Sequence, residues 1–289
     1  MELLVTPAWL EAQLGSPDLL VLDATLFLPE HGRDARAEFE AGHIPSAAFM
    51  DLGRFSPLPA RSQLTAMLAT MGIEKGKRVV VYDDSPLRSA ARGWWLLAHV
   101  GLEAGVLDGG LTKWRDEGRL IFPRKSGVGR SAPREGSVPS LPMASAGGGT
   151  ENGPLTSDAA PPQAIARSEL LPSGLPIADA RSSARFRGEQ PEPRPGVAPG
   201  HMPGARNLHY AELFARDGTY KRGDDLRSAF AAVGIDPARP FVATCGSGVT
   251  AANLILAARL LGHGQARLYD GSWAEWGADP GTAKATGPA

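Results

Sequence analysis

One residue type stands alone in this chain of 289 residues: its single cysteine, Cys245. It follows the apolar run Phe241-Val242-Ala243-Thr244 and opens the stretch Cys245-Gly246-Ser247-Gly248-Val249, after which Thr250 begins a helical pattern. Strand, short loop and helix in that order put the thiol beyond the carboxyl end of a strand, where open α/β sheets bind ligands. The two glycines let the loop curl until several N–H groups converge, and such a nest at a helix N-terminus holds anions. The expected chemistry is nucleophilic. The loop favours the thiolate, and it would equally hold a persulfide anion on the same sulfur. The competing reading is a buried structural cysteine, but a position between a strand and a helix, in a Gly-x-Gly loop, argues against it. A cysteine-dependent phosphatase would use a similar loop with an arginine six residues on, to grip phosphoryl oxygens. That position is Ala251, which disfavours phosphoryl transfer.

The elements that position this loop occur twice. The first half carries Val21-Leu22-Asp23-Ala24, Gly42-His43-Ile44-Pro45, Val79-Val80-Val81-Tyr82-Asp83, Leu107-Asp108-Gly109-Gly110 and Trp114. The second carries Ile177-Ala178-Asp179-Ala180, Gly200-His201-Met202-Pro203, Phe241 to Cys245, Tyr269-Asp270-Gly271-Ser272 and Trp276. Asp83 to Cys245, Asp108 to Asp270 and Trp114 to Trp276 share one spacing of 162 residues. Two copies of one domain are therefore expected, over residues 1–123 and 164–280. Residues 124–163 are rich in Pro, Gly, Ser and Ala and read as a flexible linker. Residues 281–289 read as a disordered tail. Within each copy, β-branched runs alternate with helical patterns, one from Thr250 to Leu261 and its counterpart from about Ser89 to Val100. That alternation predicts the α/β class, two tandem domains each with a mainly parallel sheet flanked by helices. The recurring Asp-Gly-Gly and Asp-Gly-Ser segments read as structural turns.

Bulk properties exclude more than they select. Thirty basic and 31 acidic residues leave a net charge of -1, so nothing points to nucleic acid or to a membrane surface. No apolar run reaches the roughly 20 residues that span a bilayer. The opening Met-Glu-Leu-Leu-Val has an early acid and no basic segment, unlike a targeting peptide. With one cysteine there is no internal disulfide, which fits a reducing, cytoplasmic setting. His31, His99, His209 and His263 show no ligand spacing with acids or the cysteine, so no metal is expected. The tryptophans read as core, with Trp273 a candidate to line a pocket.

The segment Ala243 to Ala251 resembles the active-site loop of the 3-mercaptopyruvate sulfurtransferases of the two-domain rhodanese family. Gly32-Arg33-Asp34-Ala35-Arg36, Gly42-His43-Ile44-Pro45, Pro191-Glu192-Pro193-Arg194 and Asp270-Gly271-Ser272-Trp273 support the likeness. In that family the first domain usually lacks the cysteine, and Asp83 takes its place here. The resemblance implies a sulfurtransferase that needs no cofactor and carries sulfur on Cys245. Its acceptor would be a low-molecular-weight thiol, reduced thioredoxin or cyanide. Members that use thiosulfate resemble Cys-Arg-Lys-Gly-Val-Thr, with two cations beside the thiol to bind a dianion. Here Gly246 and Ser247 are neutral, which favours 3-mercaptopyruvate, with thiosulfate the alternative donor.

Arg185 and Arg194 match the family's substrate-binding arginines, and a guanidinium fork suits a planar carboxylate. Arg181, Arg187 and several prolines crowd the same region, as in an ordinary solvated loop. Gly246, Gly248, Val249 and Thr250 would bind substrate through the loop. The resemblance gives Ser247 a part in positioning substrate or relaying its thiol proton, with His43 and Asp34 candidates to complete that relay. His201 repeats the Gly-His-x-Pro setting of His43, however, and a recurring residue is more often architectural. A reading of another class is a non-catalytic rhodanese-type module that binds a partner or senses oxidants through Cys245.

Overall fold

The computed structural model describes residues 1–123 and 160–288. The first domain runs β1 (Leu4–Val5), α1 (Pro7–Gln13), β2 (Leu19–Asp23), α2 (Ala35–Ala41), β3 (Ala48–Phe49), α3 (Arg61–Ala69), β4 (Arg78–Tyr82), α4 (Ala90–His99), β5 (Ala104–Leu107) and α5 (Gly110–Asp116). The second runs β6 (Gln163–Ala164), α6 (Arg167–Leu170), β7 (Ile177–Asp179), α7 (Ser183–Arg187), β8 (Arg206–Asn207), α8 (Gly223–Ala231), β9 (Val242–Thr244), α9 (Ala251–Leu260), β10 (Arg267–Leu268) and α10 (Ser272–Trp276).

Each domain holds a five-stranded sheet, in the orders β1-β5-β4-β2-β3 and β6-β10-β9-β7-β8. All pairings between these strands are parallel. The two orders coincide when the strands of the second copy are matched to those of the first, as a sequence repeat requires. The α/β expectation with mainly parallel sheets holds. β4 and β9 are central and almost wholly buried, so their continuous Val and Ala runs reflect burial of both faces.

The helices that follow these two strands join the domains. α4 and α9 are buried around nearly their whole circumference, which marks helices enclosed on all sides. They pack on each other, and their apolar residues merge the two cores into one continuous cluster. Ser89 and Thr250 precede the helices and Gly262, at φ +88°, follows α9, close to the boundaries the pattern gave. No helix among the described residues is long and apolar enough to cross a membrane.

Two boundary expectations change. Most of the linker, 124–159, lies outside the described residues. Its last residues belong to the second domain: Gln163 opens β6, the Pro162 carbonyl accepts from His99 Nδ1 at 2.7 Å and the Ala160 carbonyl from Arg259. Nor does the segment after Gly281 hang free. Ala285 pairs antiparallel with His201 through two backbone bonds, 2.8 and 2.9 Å, and the Gly287 N–H reaches the Arg187 carbonyl. His43 and Phe122 form the same bridge in the first copy. The tail is thus a repeat element. A bridge of one residue pair has no hydrophobic period to reveal it in the sequence.

Candidate active site

β9 delivers Cys245 to the C-terminal edge of the second sheet, where it is 1% exposed. The loop that follows is stitched to the turn before α10. The Cys245 and Gly248 N–H groups donate to Ser272 Oγ at 3.2 and 3.0 Å. In return, the Trp273 and Ala274 N–H groups donate to the Cys245 and Gly246 carbonyls at 2.9 and 3.0 Å. Ser272 Oγ donates to the Tyr269 carbonyl and stands 4.0 Å from Cys245 Sγ. Gly248 has φ +75°, and a Cβ there would lie 2.8 Å from Asp270 Oδ1, so this position needs glycine. Among the described residues no acceptor takes the N–H groups of Gly246, Ser247, Val249 and Thr250. They are available to an anion on the sulfur.

Above the thiol opens a cavity of about 210 Å³. Cys245, Gly246, Ser247, Val249 and Thr250 line its floor, and Arg185, Glu192 and Arg194 line one wall. The first domain closes the other side with Leu28, Pro29 and Leu87. Six of the sequence candidates therefore come together around the cysteine: Gly246, Ser247, Val249 and Thr250 on the floor, and Arg185 and Arg194 on the wall. Arg185 projects from α7 against the loop. A Cβ on Gly246 would sit 3.0 Å from Arg185 Nη2, so the missing side chain makes room for the guanidinium. Arg194 is exposed and has no acceptor among the described residues.

The wall has a buried base. Glu192, its side chain 4% exposed, accepts from Arg185 Nη2 at 2.5 Å and from Arg181 Nη1 at 2.8 Å. Arg181 also donates to both carboxylate oxygens of Asp179 and to the Gly200 carbonyl. Burial alone would lower the Arg181 guanidinium, but the attraction of Asp179 and Glu192 outweighs it and the group titrates above the usual arginine range. The sequence offered Glu192 only as part of a resemblance segment. Its flanking prolines hid the fact that an acid set between arginines in sequence is set between them in space.

Gly248, whose N–H is taken by Ser272, does not line the cavity, and three further candidates lie elsewhere. His43 and Asp34 do not line the cavity. Asp34 caps α2, accepting the Ala37 N–H at 3.0 Å. His43 Nδ1 meets the Phe39 carbonyl at 2.8 Å, and its ring stacks on Phe39 with centroids 4.2 Å apart. His201 does the same with Phe186, at 2.8 and 3.8 Å. The shared Gly-His-x-Pro segment is thus a packing device in both copies. Trp273 is fully buried, donates to the Ala198 carbonyl and lies over Arg181, so it supports the wall from behind.

The first domain's equivalent loop carries Asp83. Its carboxylate accepts the Ala90 N–H at 2.5 Å and the Ser85 N–H at 3.2 Å, so a fixed side chain fills the nest that Cys245 leaves to a ligand. Burial pushes this carboxyl up to about 6, against the opposing pull of those bonds and of Arg88.

Comparisons with known proteins identify the family. The family model for the rhodanese-like domain matches residues 6–117 and 163–279. A 3-mercaptopyruvate sulfurtransferase of Mus musculus is 36% identical over 94% of this chain and 91% of its own length. A probable 3-mercaptopyruvate sulfurtransferase of Pseudomonas aeruginosa is 39% identical over 98% of each. The crystal structure of SseA from Escherichia coli, described as a 3-mercaptopyruvate sulfotransferase, superposes with a TM-score of 0.72 at 31% identity, covering 94% of this chain and 99% of that one. Matched in both halves and related over nearly its whole length, the chain belongs to the rhodanese family as a two-domain member.

Proposed function

We propose that this protein is a 3-mercaptopyruvate sulfurtransferase. The observation that carries the reading is the pairing, in one cavity, of a cysteine ringed by unclaimed N–H groups with two arginines on the adjoining wall. Arg185 and Arg194 suit a planar carboxylate and keto group, and the neutral Gly246 and Ser247 place no cation beside the transferred sulfur.

The reaction divides into two half-reactions through a covalent intermediate. The Cys245 thiolate attacks the donor sulfur; an S–S bond forms and the carbon–sulfur bond breaks. The electron pair passes to the carbon, spreading into an enolate whose charge the arginines offset. The proton of the donor thiol ends on that carbon, relayed by the Ser247 hydroxyl on the cavity floor. Pyruvate leaves, and the persulfide anion stays against the N–H groups of Gly246, Ser247, Val249 and Thr250. A thiol acceptor, either a small thiol or reduced thioredoxin, then takes the outer sulfur as a persulfide and returns the thiolate. Both half-reactions balance without a cofactor. A reducing cytoplasm would keep Cys245 a thiol between turnovers.

The test is intact-mass measurement after adding 3-mercaptopyruvate or thiosulfate. The protein should gain one sulfur from 3-mercaptopyruvate, with pyruvate released in equal amount, and Cys245→Ser should gain none. A clear preference for thiosulfate would refute the donor assignment. No adduct from either donor on folded protein would leave a binding or redox-sensing module.

A further inference from the structure

We propose that Glu192 sets the charge of the donor pocket, and through it the preference for a singly charged donor over a dianion; this rests on the sulfurtransferase reading above. The buried wall holds two acids and two arginines in a row: Asp179, Arg181, Glu192 and Arg185. Arg181 does not need Glu192 for neutrality. Asp179 already takes its Nε and Nη2 at 3.1 and 2.7 Å, and the Gly200 carbonyl accepts from Nη2 at 2.8 Å. Glu192 also bonds Arg181 Nη1, but it is the one acid among the described residues paired with Arg185. It occupies that guanidinium along its Nε–Nη2 edge, at 3.4 and 2.5 Å.

Arg185 then faces the cavity as a paired cation with no partner at Nη1 among the described residues, whereas Arg194 has no acid paired with it there. With Gly246 and Ser247 neutral, Arg185, Glu192 and Arg194 leave about one positive charge along the wall that meets the donor. Without Glu192 it would be about two. Coulomb energy scales with the product of the charges, so a dianion is repelled by the Glu192 carboxylate twice as strongly as a monoanion in the same place. Low exposure of Glu192 keeps solvent from screening that difference. The assignment makes Glu192 a positioning and selectivity residue, since it reaches substrate through Arg185 and through space.

Two variants separate charge from position. Glu192→Gln keeps the length and one acceptor oxygen and loses the charge. Glu192→Asp keeps the charge and shortens the reach. Persulfide formation in a single turnover is measured with 3-mercaptopyruvate and with thiosulfate, alongside the urea midpoint of each variant. In Glu192→Gln the ratio of thiosulfate to 3-mercaptopyruvate efficiency should rise by roughly tenfold or more. In Glu192→Asp both efficiencies should fall while their ratio stays at the parent value. A ratio unchanged in Glu192→Gln, or moved equally in both variants, overturns the proposal. So does a Glu192→Gln chain that cannot fold, because the charge would then serve Arg181 and the core. If the parent takes sulfur from neither donor, the underlying reading falls and this proposal falls with it. A parent that forms the persulfide with an unmoved ratio removes Glu192 alone.

Discussion

Asp108 and Asp270, 162 residues apart, make the same bond in opposite directions across the domain boundary. Asp108 Oδ1 accepts the Tyr220 N–H and Asp270 Oδ2 accepts the Leu58 N–H, each at 2.9 Å. Tyr220 and Leu58 are themselves 162 residues apart. The turns that recur in the sequence are thus reciprocal clasps between the two copies. They differ in their cations. Asp108 holds Arg222, whose side chain is 42% exposed, while Asp270 holds Arg92, which is 3% exposed.

That difference predicts unequal costs. Asp270→Asn strands a buried guanidinium and should destabilise the protein by about 3–5 kcal/mol, the usual result of breaking one side of a buried pair. Asp108→Asn releases a half-exposed arginine and should cost no more than about 1 kcal/mol through its ion pair. Urea unfolding of the two variants checks the ranking. Equal losses would mean that the shared backbone bond, rather than burial of the cation, decides the strength of the clasp.

The two loop glycines should fail in different ways. Gly246→Ala puts a Cβ 3.0 Å from Arg185 Nη2, and the far end of a flexible side chain can yield. We expect KM for 3-mercaptopyruvate to rise by roughly an order of magnitude with little loss of stability, because a misplaced positioning group weakens binding before it weakens the fold. Gly248→Ala meets the Asp270 carboxylate and backbone at a positive φ. It should cost about 1–3 kcal/mol and reduce kcat, since the strain falls on the loop itself. Steady-state kinetics with thermal unfolding distinguishes the two.

Asp83 gives a pH signature. Its carboxyl is raised to about 6 in the folded state from an ordinary 3.8, so the folded protein holds this proton more tightly than the unfolded chain does. Stability from this group is therefore greatest below pH 3.8 and is lost as pH rises towards 6. The full penalty at neutral pH is about 3 kcal/mol, at 1.36 kcal/mol per pK unit. Relative to Asp83→Asn, the parent should lose stability between about pH 4 and 6 and run parallel to the variant above that window. Urea titrations of both proteins across this range measure the difference, and parallel curves throughout would contradict the assignment.

For His43 the expectation is mainly structural. His43→Asn removes the ring stacked on Phe39 and should cost about 1 kcal/mol, the scale of one hydrogen bond with its packing. The pH dependence of kcat should not move. His201→Asn, in the buried counterpart, should cost more. A shift in the kcat profile of His43→Asn would return this residue to the proton relay.

The repeat, the parallel sheets and the cysteine loop were legible because each rests on local pattern: apolar runs, paired glycines, and a fixed spacing between copies. The arginine wall was legible only through likeness to a family, since Arg185 and Arg194 look like solvated loop residues until Glu192 and Arg181 are placed beside them. What could not be read was geometry set by distant segments. Leu28, Pro29 and Leu87 close the cavity from the first domain, yet nothing in their local sequence separates them from other apolar loop residues. For His43 the sequence left a relay role and an architectural one open, for a related reason. Its motif carries information about a Phe–His stack within its own copy, and motif alone cannot say which direction a ring faces.

The backbone bridge from Ala285 to His201 and the bond from Gly287 to Arg187 meet the two ends of the loop that carries Glu192 and Arg194. That loop leaves the domain at Gly188 and returns at Gly200, where a Cβ would collide with the Ala285 carbonyl. Ala285 and Gly287 are therefore the drawstring of the cavity wall. Trimming at Gly281, which composition alone would invite, would open the purse that holds Glu192 and Arg194.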